Sequence, residues 1–332
     1  MSQNDIDFVI TWVDNNDAQW QNEFAKYKGQ SGDTRSVRYR DTETLKYWFR
    51  SIEKYSPWVH KIYFVTCGQK PEWLNFNHPK LVHVKHEDYI PKEYLPTFSS
   101  HTIELNFHRI KGLSENFVYF NDDIFLNNET KPTDFFDKGL PKDTAVMVPN
   151  VTLENPPFLV PNVDTMVINR HFKKHKVIFK NLCKFFNFRY DIYNLTNLLY
   201  TPSTYFLGFN TFHLANSFLK STFEEVWKCE SDILHQSSIH KFRQQMDVNQ
   251  WVFQYWQFCK GKFLPRSPRI GKFFIVNSRN DLDNVLSTIE KGKEKMICIN
   301  DSSDMEMDFD VFKKELIDVF ERKFPEKSSF EL

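Results

Sequence analysis

A chain of 332 residues, 41% apolar and 17% aromatic, is long enough to bury a large core as one large domain or two modest ones. Lysine plus arginine and aspartate plus glutamate both number 43, so no global field points to nucleic acid, and any electrostatic recognition must be local. The five cysteines, at 67, 183, 229, 259 and 298, are odd in number and without CxxC spacing, which argues against a disulfide framework and a zinc site.

The first segment, MSQNDIDFVITWVD, has no basic region followed by an apolar one, and nowhere do eighteen apolar residues run uninterrupted. The expectation is a cytoplasmic protein without a membrane span. Short β-rich runs lie at 6–13 (IDFVITWV), 61–67 (KIYFVTC), 81–86 (LVHVKH) and 117–120 (FVYF), with helical patterns between them at 41–55 and 101–111. This alternation predicts an α/β fold with a doubly wound, mostly parallel sheet over about 1–150. Ligands gather at the C-terminal strand ends of such sheets. Three runs end in polar groups: Thr11-Trp12-Val13-Asp14, Thr66-Cys67-Gly68-Gln69 and Asn121-Asp122-Asp123.

From 150 to 212 the character changes, with prolines at 156, 157, 161 and 202 and a basic, aromatic section. Between Arg170 and Arg189 there are seven lysines and arginines and no acid. A solvated helix face over an aromatic core is the plainer reading; the sharper one is a peripheral membrane contact or a surface for a polyanionic acceptor. Helical pattern returns at 213–260, strand-like pieces follow at 271–276 and 295–299, and an amphipathic helix runs from Met307 to about Phe324. A single domain is expected: an α/β core over 1–150, a mostly helical insertion over 151–260, and a return to the core over 261–332.

Asn121-Asp122-Asp123 and a second pair, Asn300-Asp301 in KMICINDSSD, supply hard oxygen ligands from distant parts of the chain. Either alone reads as a turn; facing each other they would hold magnesium. RYRDTETLKYWFRS gathers Arg38, Arg40, Lys46 and Arg50. On a helix starting near Asp41, Lys46 and Arg50 share a face, which suits either a phosphate clamp or surface ion pairs. Neither a P-loop nor a GxGxxG motif is present.

The segments IDFVITWVDNND, RYRDTETLKYWFRSIEKYSPWVHKIYFVTCGQKPEWL, LPTFSSHTIELNFHRIKGLSENFVYFNDDIFL, KFRQQMDVNQWVFQYW and CIND, in that order, resemble the conserved regions of the Stealth proteins. These are hexose-1-phosphate transferases of microbial capsule and cell-wall polysaccharide synthesis, related to the eukaryotic N-acetylglucosamine-1-phosphotransferase. The resemblance implies a glycosyltransferase-like nucleotide-sugar core and transfer of a sugar-1-phosphate from a UDP-sugar to a polysaccharide or lipid-linked glycan, releasing UMP. It implies Mg²⁺ (or Mn²⁺) on Asp122, Asp123, Asn300 and Asp301, with Asp122 also catalytic. Donor contacts are implied for Trp12, Asp14, Arg40, Lys46 and Arg50, while His108, a family position four residues after Glu104, forms a site wall with it or buttresses the Asn121-Asp122-Asp123 strand. The third region's histidine and arginine fall on His213, as base, and Arg243, on the phosphoryl oxygens; Ala215-Asn216-Ser217 departs from the proline-containing context usual after that histidine. Two other functions compete. One is a metal-dependent glycosyltransferase releasing UDP. The other is a polysaccharide-binding protein with aromatic platforms, against which stands the excess of phenylalanine, 34 residues beside 13 tyrosines and 8 tryptophans, a core-like mixture.

Overall fold

The computed structural model describes residues 5–151, 159–302 and 305–332, so Pro156 and Pro157 lie outside the described residues. In chain order the strands are β1 (Ile6–Thr11), β2 (Ile62–Thr66), β3 (Leu81–Lys85), β4 (Asn116–Phe120), β5 (Ile124–Leu126), β6 (Phe136–Asp137), β7 (Leu140–Asp143), β8 (Asn216–Leu219), β9 (Leu264–Pro265), β10 (Gly271–Val276) and β11 (Met296–Asp301). The main sheet has the order β3-β2-β1-β4-β8, parallel throughout except for β8. β1, β2 and β4 are buried at nearly every position, as expected of parallel strands covered on both faces, and their unbroken apolar runs are the sequence form of that burial.

Alternate residues of these strands feed two cores. On one face Phe8, Ile10, Phe64, Val118 and Phe120 meet the helix Leu45–Tyr55, which buries Leu45, Trp48, Phe49 and Ile52 at helical spacing. The C-terminal helix Phe309–Lys323 joins this face through Phe312, Leu316 and Phe320, and Asp308 caps its start by accepting from the Asp310 N–H. On the other face Val9, Val65, Phe117 and Tyr119 pack with Leu105, Phe223, Val252 and Trp256. Helices on both faces make the sheet doubly wound.

Two sequence expectations change. The helical pattern expected over 101–111 stops at Leu105, because Asn106 turns back to donate to the Thr102 carbonyl and a short 3₁₀ turn follows. Residues 216–219, expected within a helical stretch, form β8, because pairing with β4 at the sheet edge overrides local propensity. β8, from the middle of the chain, and β11, from its last part, both pair with strands of the first 150 residues. All five thiols are free, and no helix among the described residues is long and apolar enough to cross a membrane.

Candidate active site

β1 and β4 are hydrogen-bonded neighbours, so their C-terminal ends lie side by side and bring Trp12 to Asn121-Asp122-Asp123. After Asp123 the chain enters β5, which pairs antiparallel with β11 through Ile124 opposite Cys298. The Ile299 N–H donates to the Asp123 carbonyl at 2.9 Å, and the same register carries Asn300 and Asp301 alongside the acidic triplet. Two motifs nearly 180 residues apart thereby share one cleft of about 540 Å³. Its acids are Asp41, Asp122, Asp123 and Asp301, with Glu104 deeper; its cations are Arg35, Arg38, Arg40 and Arg243.

The acids are crowded. Asp122 reaches water in the cleft yet is walled in by protein, and that desolvation, followed by the charges of Asp123 and Asp41, raises its pKa. Burial also raises Asp123, whose carboxylate takes a hydrogen bond from the Cys298 thiol while its Oδ1 is buried with no partner. Asp301 Oδ2 is held by Arg40 at 3.0 Å, and burial outweighs that pairing to leave its pKa raised. Asp41 accepts from Trp12 Nε1 at 3.3 Å. Glu104 accepts from the Tyr119 hydroxyl at 3.0 Å and is pushed up to about 7 by complete burial, with Arg243 opposing.

An orphaned carboxylate oxygen among crowded acids is the donor chemistry a hard divalent cation satisfies, so Asp122, Asp123 and Asp301 fit magnesium or manganese. The ligand shell is not assembled, however: among the described residues no three acid, histidine or cysteine side chains stand close enough to hold one ion. The Asp301 carboxylate is instead paired with Arg40.

His213 lines the cleft with its ring stacked on Phe273 at 4.5 Å and set edge-on to Trp251 at 5.1 Å. Burial lowers its pKa to about 4. The ring is therefore neutral at physiological pH. Arg243 lines the same cleft and donates to Ser100 Oγ at 2.7 Å.

Four of the expected site residues lie elsewhere. Arg50 is buried beneath the C-terminus, where Nε and Nη2 grip both oxygens of Glu331 at 2.8 and 2.9 Å and Nη1 donates to the Phe324 carbonyl. Lys46 sits over the Tyr47 ring, 4.9 Å from its centroid, so the two do not form a clamp at the cleft. Asp14 closes a turn by accepting from the Asn16 N–H, and its backbone exchanges two hydrogen bonds with the Gln69 side chain. His108 packs against Trp227 and Phe223, pushed down to about 3 by burial, and does not form a wall with Glu104.

Sequence reasoning placed Arg38 in a cationic cluster without giving it a donor contact, and assigned no role to Arg35, Asp41 or His101. The first three stand in TRSVRYRD, where three arginines within six residues were the available signal. His101 lines the cleft and shares the fully buried Asp247 with His240, at 3.3 and 2.7 Å. No local spacing announces that arrangement, because Asp247 lies 146 residues away.

Comparison with known proteins bears on this geometry. Models of three Stealth protein segments match: conserved region 1 over residues 4–32, conserved region 2 over 38–143 and conserved region 4 over 287–332. Arg38, Arg40, Glu104, Asp122, Asp123 and Asp301 fall inside them, and His213 and Arg243 lie between the second and the fourth. The capsular polysaccharide phosphotransferase WcwK of Streptococcus pneumoniae is 46% identical over 332 residues, covering 98% of each chain. The exopolysaccharide phosphotransferase cps2G of Lactiplantibacillus plantarum is 40% identical, over 98% of this chain and 96% of its own. Among solved structures, the galactosyltransferase LgtC superposes with a TM-score of 0.38 at 10% identity, over 94% of this chain and 95% of that one, too loosely to carry any residue across. Segment models that contain both acidic strand ends, together with relatives alignable from end to end, establish that the chain belongs to the Stealth family and is a phosphotransferase.

Proposed function

We propose that this enzyme transfers a sugar-1-phosphate from a UDP-sugar to a hydroxyl of a glycan, forming a phosphodiester and releasing UMP, in the synthesis of a capsular or other cell-surface polysaccharide. One observation carries this reading: Arg35, Arg38, Arg40 and Arg243 share a single cleft with Asp41, Asp122, Asp123 and Asp301. Acids alone would suit a metal, and arginines alone a lone phosphate. Both together suit a diphosphate whose charge a divalent cation would help neutralise, where catalysis is mostly positioning and charge stabilisation. The names of the most similar relatives, all phosphotransferases, support transfer of the phosphate with the sugar.

In this mechanism the acceptor hydroxyl oxygen attacks the β-phosphorus. The bond from that phosphorus to the bridging oxygen breaks, and the bridging oxygen departs with the α-phosphate as UMP. The hydroxyl proton passes to His213, whose neutral ring is free to take it. Arg243 holds the equatorial oxygens of the group in flight, a task suited to its planar fork. Arg40 turns from Asp301 to the donor phosphates, which frees the Asp301 carboxylate. Mg²⁺ or Mn²⁺, held by Asp122, Asp123 and Asp301 with Asn300 nearby, would neutralise the pyrophosphate and the leaving UMP. A nucleotide-sugar donor and five free thiols support a cytoplasmic site of action.

The experiment is chromatography of the nucleotide released in a phosphatase-free assay, with phosphorus NMR of the glycan. UMP and a phosphodiester signal are expected, with turnover lost in EDTA and restored by Mg²⁺ or Mn²⁺. UDP release with a phosphate-free glycan would replace this reading by a glycosyltransferase one, and full turnover in excess EDTA would remove the metal from it.

A further inference from the structure

One lobe of the molecule leaves part of its apolar surface outside while burying polar groups within. The helices Lys174–Lys180 and Tyr193–Tyr200, with the turns between and after them, should turn their apolar residues inward. Some do not. Phe179 is 86% exposed and Phe188 80%, while Leu195 and Leu199, with Ile192 one turn earlier on the same helical stripe, are each about two-thirds exposed. Polar groups share the interior with Val177, Ile178 and Phe185. Asn197 is wholly buried, accepting from the Met147 N–H at 2.6 Å and donating to the Ala145 and Phe185 carbonyls. Lys174 is 1% exposed and donates to the Tyr200 carbonyl and, at 3.0 Å, to the Ser203 carbonyl. The lobe is thus pinned from within by hydrogen bonds, and the leucines remain outside in the folded state.

An exposed apolar face of this kind marks a docking surface, and its charge says for what. Lys173, Lys176, Lys180 and Arg189 of the same segment are exposed, whereas Asp191, the single acid from 170 to 207, is already paired with Arg269. Exposed aromatic and leucine side chains in a segment whose exposed cations meet no acid match the interface of an anionic bilayer, apolar below and negatively charged above. No helix among the described residues can span a membrane, so such contact lies in the plane of the interface. The lobe also adjoins the cleft: the Tyr193 ring packs edge-on against Phe212, 5.6 Å away, between the cleft-lining residues Thr211 and His213.

We propose that residues 173–207 form a peripheral docking surface for an anionic lipid bilayer, seating the mouth of the cleft beside the membrane. On the reading of the reaction given above, the acceptor glycan would then be presented from a lipid carrier; the docking itself does not depend on that reading.

The test is flotation of the full chain with vesicles of phosphatidylglycerol and phosphatidylcholine, or of phosphatidylcholine alone, at low and high salt. Binding to the anionic vesicles that weakens with salt is expected. The double substitution Leu195→Gln with Leu199→Gln should lower partitioning by about tenfold or more on loss of the buried apolar area. Lys176→Gln with Lys180→Gln should cost on the order of tenfold on anionic vesicles and nothing on neutral ones. These side chains are exposed, so an unchanged melting midpoint is expected, and Phe179→Ser with Phe188→Ser serves as a second apolar pair if the first does not fold. Absence of flotation by the wild type, or equal flotation of an apolar variant, overturns the proposal. A dimer that the leucine substitutions dissociate would overturn it in favour of a second copy of the chain as the occupant.

Discussion

His213 has a φ of 46°, in the left-handed region where a residue with a Cβ is strained by roughly 1 kcal/mol. Such conformations persist where the surroundings over-determine them, and here stacking on Phe273 and the edge of Trp251 supply that determination. In this conformation a neutral imidazole lines the cleft. His213→Ala is expected to lower kcat by roughly 10²–10⁴ while leaving the donor KM nearly unchanged, because a base acts on the transition state rather than on donor binding. Steady-state kinetics checks this, and a raised donor KM with normal kcat would make His213 a binding residue. Glu104 supplies a second test at this scale. Its folded pKa of about 7 lies above the ordinary value of 4.5, so from about 4.5 to about 7 the folded state holds a proton that the unfolded state has released. Stability from this group is fully present below 4.5 and is lost as pH rises through 7, by an order of about 3 kcal/mol. Glu104→Gln should flatten that decline, as denaturant titrations at pH 5 and pH 8 will show. The raised acids were legible in the sequence only as residue types, because burial is set by what packs around them.

The helix Leu45–Tyr55 shows the same division at the scale of an element. Its apolar spacing announced the helix and its buried stripe, and the four-residue spacing of Lys46 and Arg50 placed both on one side. What that side would meet was not legible. The C-terminal segment arrives there and offers Glu331, buried to the same degree as the Arg50 side chain, so the guanidinium is committed to a structural ion pair. Removing one partner strands the other charge in the interior. Arg50→Ala should therefore cost about 3–5 kcal/mol of folding stability without raising the donor KM, which denaturant unfolding and kinetics together can read. A KM defect at normal stability would return Arg50 to the donor site. β8 makes a similar point: its four residues lie where helical pattern was expected, and the edge of β4 decides for them.

Across the whole molecule the cleft depends on the antiparallel pairing of β5 with β11, which brings the strand end at Asp123 and the distant strand end at Asp301 into one cleft. Arg40 spans the same join. A ligand seated there stabilises the folded state by its own binding, about 2.7 kcal/mol at a concentration of 100 times Kd. Mg²⁺ with UDP should raise the melting temperature of the wild type by a few degrees. Asp301→Asn should lose most of that rise, with a ligand-free midpoint close to that of the wild type and little activity. A full ligand-induced shift in the variant would take Asp301 out of the metal site.

The sequence by itself determined the βα alternation, the apolar strands that demand cover on both faces, the two acidic strand ends and, through long ordered motifs, the family. These features are written locally, in periods of two and 3.6 residues and in runs of chemistry at strand ends. Tertiary structure alone decided which charges meet. It brought Arg35, Arg38 and Asp41 into the cleft and led Arg50 and His108 away from it. It gave His101 its distant partner Asp247, and it turned Leu195 and Leu199 outward around a buried Asn197. The reason is physical: a side chain's charge state and direction depend on neighbours supplied by pairings across a hundred residues or more, and local patterning carries no term for them.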